Sequence, residues 1–182
     1  MLSPAHNKSK NMVGIVEADE TFFTEYFKGS RHIEHCKAKK RGKSKKNIGE
    51  RVPVLIVRDR SGTEADFVFT QISKEKIHDA LRPIRGGEEI ILCTDGNGIY
   101  KSFAKAERIP HKRIVGLSNT YVVDKIFHIQ NLNAYISRLK TWMRRFNGVA
   151  TRYLENYLGW RRMIENKSEV ASPDYYLRQA LG

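Results

Sequence analysis

Apolar runs along the chain predict five strands. Residues 52–60 and 90–93 form nearly continuous apolar runs, which are typical of strands inside a sheet. Residues 13–23 combine strand-forming side chains with acids at the end of the run, and 63–72 follows the second strand across a glycine-containing turn. A further short strand is predicted at 111–117.

Helical periodicity predicts helices over 74–81, 100–108, 128–145 and 150–166. Ser73 is a suitable N-cap for the first of them. The last helix is predicted to place one set of side chains inward, namely Leu154, Leu158, Met163 and Ile164, and to leave Arg152, Arg161 and Arg162 outside. This order of strands and helices is compatible with an α/β fold in which helices flank a mixed sheet.

The helix predicted over 128–145 has two stripes at helical spacing. The apolar stripe consists of Ile129, Leu132, Ile136, Leu139 and Met143. The polar stripe consists of Gln130, Asn133, Ser137, Lys140 and Arg144. An apolar stripe packs on a core. The polar stripe is either a solvated basic face or one wall of a site.

Acidic residues lie at the ends of two predicted strands. Glu17 and Asp19 point to one face of the first strand and Glu20 to the other. An inward carboxylate is costly unless a metal or a cation compensates it, although acids also protect sheet edges. Asp95 ends a central strand beside a glycine turn, a common place for catalytic groups. It also suits a local role, as an Asx-turn or N-cap.

The net charge of +13 on 182 residues points to a polyanionic partner. Nucleic acid is the first candidate, followed by an anionic membrane surface and the ribosome. No apolar run reaches the roughly 18 to 20 residues needed to span a bilayer, and the N-terminus lacks a signal-peptide pattern. We therefore expect a cytoplasmic, nucleoid-associated protein with one domain at 12–166, between tails at 1–11 and 167–182.

Residues 28–51 form a basic loop with almost no apolar side chains. Its candidate DNA contacts are Lys39, Lys40, Arg41, Lys43, Lys45 and Lys46. His32, His35 and Cys36 are possible zinc ligands, but no fourth ligand is evident and a solvated loop is the favoured interpretation. The only other cysteine is Cys93, so the chain contains neither a zinc ribbon nor a disulfide framework.

Three polar side chains are candidates for a shared metal site. Asp19, Asp95 and Asn133 would offer the oxygen ligands that Mg²⁺ and Mn²⁺ prefer. Two such ions about 4 Å apart would suit phosphodiester cleavage. Lys140, two helical turns beyond Asn133, would contact the phosphate of the strand being cut.

Three segments carry a family resemblance: VEADETFF at 16–23, LCTDGNGIY at 92–100, and the helical region 128–165. Together they resemble the catalytic domain of bacterial insertion-sequence transposases of the DDE superfamily. The match is to the subgroup in which asparagine replaces the third carboxylate and lysine follows seven residues later. The resemblance implies a ribonuclease-H-like fold with a long C-terminal catalytic helix.

The resemblance also implies roles for individual residues. Asp19 and Asp95 would be catalytic acids, Asn133 the third metal-binding residue and Lys140 the characteristic lysine. It implies Mg²⁺- or Mn²⁺-dependent cleavage and strand transfer at transposon ends, with two ions, double-stranded DNA as partner and a homodimer or larger assembly. Further helix residues expected to bind DNA are Arg138, Arg144 and Arg145.

Transposases of this kind usually carry an N-terminal zinc ribbon and a helical DNA-recognition region, whereas a short segment precedes the first acidic strand here. We therefore expect a truncated copy that lacks recognition of transposon ends. The alternative is a basic DNA-binding module or relic without catalysis. Metal-dependent cleavage distinguishes these two interpretations.

Overall fold

The computed structural model describes residues 12–31, 50–85, 89–114, 122–124 and 126–165. The predicted tails, 1–11 and 167–182, lie outside these ranges. The basic residues of 39–46 and the zinc candidates of 32–36 also lie outside them.

The fold is built on a five-stranded mixed sheet with the order β3-β2-β1-β4-β5. The strands are β1 (Gly14–Thr24), β2 (Arg51–Asp59), β3 (Glu64–Val68), β4 (Ile90–Thr94) and β5 (His111–Arg113). The first three form antiparallel pairs, whereas β4 is parallel to both β1 and β5. With helices on both faces, this α/β arrangement is consistent with a ribonuclease-H-like fold, as predicted.

Four α-helices flank the sheet in the described ranges: α1 (Lys74–Leu81), α2 (Gly98–Glu107), α3 (Gln130–Arg144) and α4 (Leu154–Glu165). Helices α1 and α2 pack on one face and α3 and α4 on the other. Ser73 caps α1 as predicted, because its side chain accepts the Lys76 N–H at 3.3 Å. Within these ranges no helix is both long enough and apolar enough to cross a bilayer.

The alternation of β1 decides which face receives each acid. Val16 and Ala18 belong to the core under α1 and α2. Glu17 and Asp19 therefore point to the opposite face, where α3 packs. Glu20 faces α2, where it interacts with Tyr100, and burial raises the pKa of the Glu20 carboxyl.

Helix α3 has the two predicted stripes. The buried stripe contains Leu132, Ile136, Leu139 and Met143, and the exposed stripe contains Gln130, Asn133, Ser137, Lys140 and Arg144. Ile129 differs from the prediction, since it is the N-cap residue and is only half-buried. The apolar stripe anchors α3 on β1 and β2, so the polar stripe faces outward from a fixed position.

The prediction that Arg161 and Arg162 lie free on the outside of α4 is wrong. Arg162 Nη1 lies 2.8 Å from Asp66 Oδ2 of β3, and Arg161 pairs with Glu165. Their side chains are only 12% and 13% exposed. The helical periodicity of α4 does not reveal the partner of Arg162, because Asp66 lies on β3.

Strand β3 is shorter than the predicted 63–72, whereas residues 115–117 of the predicted fifth strand lie outside the described residues. Strand β3 pairs only with Val54–Arg58 of β2, and β5 pairs only with Leu92–Thr94 of β4. One residue beyond each strand a hydrogen bond still joins it to its neighbour, from the Phe69 N–H to the Pro53 carbonyl at 2.9 Å and from the Ile114 N–H to the Thr94 carbonyl at 2.8 Å. In α4, Met163 and Ile164 are half-buried rather than fully inward.

A charged network joins β3 to α4. Arg58 Nη1 lies 2.9 Å from Glu64 Oε2, and burial raises the pKa of Glu64 to about 7 despite this arginine. Burial likewise raises the pKa of Asp66 to about 6, although Arg162 opposes the shift. The network therefore contains acids that are costly to ionise in the folded protein.

Candidate active site where the pairing of strands β1 and β4 ends

The parallel pairing of β1 with β4 brings two predicted acids to one edge of the sheet. The last residue pair in this register is Ala18 with Thr94. Asp19 and Asp95 are the next residues along their chains, so they leave the paired region side by side. Their proximity depends on a pairing between strands that are distant in sequence.

The charges at this edge interact. Burial raises the pKa of Asp19 to about 6, and the negative charge of Asp95 contributes to the increase. The Glu20 N–H, which donates to Asp19 Oδ1 at 2.8 Å, and the ammonium of Lys140 both oppose it. Asp19, Asp95 and Lys140 are thus close enough to affect one another, with a net cost for two adjacent carboxylates.

Helix α3 begins beside the same edge. The Leu132 N–H donates a hydrogen bond of 2.9 Å to Glu17 Oε2, two residues before Asp19 on the same face of β1. Asn133, the next residue, lies in the first turn of α3 and is exposed. Lys140 is also exposed and lies on the same stripe, further from the start of the helix.

Residues 11–161 match the ISXO2-like transposase domain. The matched region includes Asp19, Asp95 and the whole of α3. The chain belongs to the ISXO2-like transposase domain family. A search of curated proteins finds no match to this transposase domain.

Asp95 also makes the local turn that its sequence context suggested. Its Oδ1 accepts the Asn97 N–H at 3.1 Å, which is an Asx-turn. The N-cap of α2 is Asn97, whose side chain accepts the Ile99 N–H at 3.1 Å. In this transposase domain the turn orients the Asp95 carboxylate at the end of β4.

Sequence reasoning missed a basic side chain next to this turn. Arg113 of β5 lies opposite Thr94, is exposed, and crosses Gly96 closely. A Cβ atom at Gly96 would lie 2.2 Å from Arg113 Nε, and the backbone φ of Gly96 is +102°. Only glycine suits both the close contact and this φ. The glycine that follows Asp95 was therefore the one sequence feature that indicated a tight approach at this turn.

We expect Gly96→Ala to destabilise the transposase domain by roughly 1–3 kcal/mol, because the added methyl group clashes with Arg113 and the φ is unfavourable. Gly98→Ala is the matched control. It lies at the first position of α2 with nothing within 4 Å of its added Cβ, and it should stabilise the protein by roughly 0.4–1 kcal/mol. Urea unfolding measures both changes, and equal effects at the two glycines would contradict this explanation.

The predicted DNA contacts on α3 differ in whether they bind another side chain of the protein. Lys140 and Arg145 are exposed, whereas Arg138 donates to Glu165 and Arg144 donates to the Thr141 hydroxyl at 3.1 Å. Lys140 lines an open groove of about 320 Å³ along the end of β1. The other lining residues are Glu20, Thr21, Phe22, Phe23, Thr24 and Arg51. Arg51 was not among the predicted contacts.

Among the described residues, no group of three or more His, Cys, Asp or Glu side chains is arranged to hold a metal ion. The candidate set has only two such residues, Asp19 and Asp95, and would take its third oxygen from the amide of Asn133. The argument that Asp19, Asp95 and Asn133 fit a cation therefore rests on burial and on the repulsion between the two carboxylates, both of which raise the pKa of Asp19.

Proposed function

We propose that this transposase domain cleaves and joins DNA strands at transposon ends in a metal-dependent reaction. The observation that carries the proposal is the pair of carboxylates, Asp19 and Asp95, directly beyond the last residue pair of two parallel strands. Their charges interact unfavourably in the absence of a compensating cation. Such a pair is suited to a divalent ion.

The donor set fits Mg²⁺ or Mn²⁺. Asp19 and Asp95 would supply carboxylate oxygens and Asn133 an amide oxygen, all of them hard ligands. Burial and the mutual repulsion that raise the pKa of Asp19 favour any bound positive charge. When two such ions are bound, they supply activation of the nucleophile and stabilisation of the leaving oxygen.

The side chains of the domain itself would orient the DNA. Lys140 would bind a phosphate oxygen of the strand being cut, because its ammonium is exposed and its charge acts on Asp19. The exposed Arg51 lines the same groove as Lys140, the exposed Arg113 crosses Gly96 next to Asp95, and both would contact neighbouring phosphates. With a net charge of +13, the chain is suited to double-stranded DNA.

The proposed chemistry consists of two displacements at phosphorus. In cleavage, a water oxygen forms a bond to phosphorus while the bond to the 3′ oxygen breaks. The water gives up a proton and the departing 3′ oxygen takes one up, so the products are a 3′-hydroxyl and a 5′-phosphate. In joining, this hydroxyl attacks a target phosphate and the 3′ oxygen of the target strand leaves. Transposases that this chain resembles generally act on paired DNA ends, so we further propose a homodimer or larger assembly on DNA.

The test uses the full chain and labelled duplexes from the DNA that flanks its gene, both intact and pre-nicked with a free 3′-hydroxyl. We expect nicked and joined products with Mg²⁺ or Mn²⁺ and none with EDTA. Asp95→Ala should bind the same duplexes and give no product. If the unaltered protein binds DNA but neither nicks nor joins it, the alternative of a basic DNA-binding module is correct.

A further inference from the structure

Glu17 is a buried carboxylate that the proposed chemistry does not use. It lies on β1, two residues before Asp19, and is only 1% exposed. Its Oε2 accepts the Leu132 N–H at 2.9 Å, and its Oε1 lies 2.9 Å from Arg60 Nε. A buried charge of this kind needs a structural or functional reason, because its desolvation is costly.

Helix α3 has no capping side chain at its own N-cap. That position is occupied by Ile129, which makes no side-chain hydrogen bond to the first turn. His128 Nδ1 accepts the Gln130 N–H at 3.2 Å, and the amide of Leu132, two residues further along the helix, donates to Glu17. A carboxylate that accepts a first-turn N–H provides the hydrogen bond and charge that an N-cap residue normally provides.

We propose that the Glu17 side chain, supplied by β1, caps the N-terminus of α3 in place of the N-cap residue, and that this cap positions Asn133 against Asp19. The positioning role rests on the proposed function. Glu17 and Asp19 share one face of the same strand, and Leu132 and Asn133 are consecutive in α3. The hydrogen bond from Leu132 to Glu17 therefore joins the strand that carries Asp19 to the helical turn that carries Asn133.

Arg60 completes this connection. Its Nε compensates the Glu17 carboxylate, while its Nη2 donates to the Ile126 carbonyl at 3.1 Å in the segment that leads into α3. Glu17 Oε2 is therefore held by a hydrogen bond, and Oε1 by the ion pair with Arg60. Glu17 is a positioning residue and not a metal ligand.

The cap is tested by amide hydrogen exchange in Glu17→Ala and Glu17→Gln. In Glu17→Ala we expect Leu132 to exchange about tenfold faster, since a lost cap costs about 1.4 kcal/mol. The Leu139 amide, in the middle of α3, should change much less. Glu17→Gln should restore protection, because its amide oxygen still accepts the bond. Glu17→Met, of similar size but without an acceptor, replaces the alanine variant if that protein does not fold.

Glu64→Ala is the matched control. Glu64 is paired with Arg58 at 2.9 Å as Glu17 is with Arg60, and both carboxylate side chains are 1% exposed. Glu64 lies on β3, and its hydrogen bond and ion pair in the described residues are with Arg58 of β2 and not with the first turn of α3. Removing it should therefore leave Leu132 exchange unchanged relative to Leu139. Equal acceleration of Leu132 by both alanine variants would overturn the cap.

Positioning is tested by Mn²⁺ affinity, measured from the electron paramagnetic resonance of free Mn²⁺. We expect Glu17→Ala to weaken binding by about tenfold, as for other residues that orient metal ligands, while Glu17→Gln and Glu64→Ala stay within about twofold. Unchanged affinity in Glu17→Ala despite faster Leu132 exchange would overturn the positioning role. If the unaltered protein binds no Mn²⁺, the proposed function and the positioning role both fail, and the exchange rates still decide the cap.

Discussion

Asp19→Asn should make the metal-free protein more stable and at the same time remove its strand cleavage. Burial and the charge of Asp95 raise the pKa of Asp19 to about 6, so the ionised carboxylate present at pH 7 opposes folding. After allowance for solvent screening, we expect a gain on the order of 1 kcal/mol. Asparagine keeps an oxygen that can accept the Glu20 N–H, so this hydrogen bond is retained.

The loss of cleavage should be roughly a hundredfold or more, because several kcal/mol of charge stabilisation depend on the two carboxylates. Addition of Mn²⁺ should raise the melting temperature of the unaltered protein but not that of Asp19→Asn. Asp79→Asn is the control, since this α1 side chain is 73% exposed and its replacement should change stability by less than about 0.5 kcal/mol. Lower metal-free stability in Asp19→Asn would contradict the electrostatic argument.

Local patterns predicted the elements that carry the candidate site. The apolar runs identified β1 and β4 and the position of Asp95 directly after β4, whereas the prediction that Asp19 ends its strand is wrong, because β1 continues to Thr24 while its pairing with β4 stops at Ala18. The helical spacing of α3 predicted that Asn133 and Lys140 lie on its exposed stripe. These predictions succeed because alternation in strands and the helical period are local properties that burial imposes on each element.

The contacts that assemble the site were beyond local patterns. Asp19 meets Asp95 only because β1 and β4 pair in parallel with Ala18 opposite Thr94. The capping of α3 by Glu17 joins residues 115 positions apart, and its only local signal is Ile129 at the N-cap. Such pairings depend on the tertiary arrangement, so the sequence suggested their participants but not their geometry.

The arginines of α4 are a second case in which a local pattern did not predict a tertiary contact. Their spacing suggested solvated arginines, yet Arg162 is paired with Asp66 on the edge strand β3. Burial of both partners changes the energetics, because removing one charge leaves the other uncompensated. A basic residue on a helix is thus a candidate DNA contact only if no acidic side chain of the same protein pairs with it.

Glu64→Gln should increase the stability of the protein at neutral pH but not at acidic pH. Burial raises the pKa of Glu64 from its usual 4.5 to about 7, with Glu165 and Asp66 adding to the effect and Arg58 opposing it. Between these values the folded state binds more protons than the unfolded state, so the free energy of unfolding falls as pH rises. Glutamine resembles the protonated side chain and lacks this cost.

We expect the variant and the unaltered protein to have similar stability at pH 4.5 and to differ by on the order of 2 kcal/mol at pH 7.5. Urea unfolding at pH 4.5, 6 and 7.5 measures the difference. Asp66, whose pKa is raised to about 6, is present in both proteins, so its contribution to the comparison largely cancels. Glu89→Gln, at an exposed position before β4, should give a constant difference near zero. Parallel pH profiles for Glu64→Gln and the unaltered protein would show that the half-buried Arg58 fully compensates the Glu64 charge.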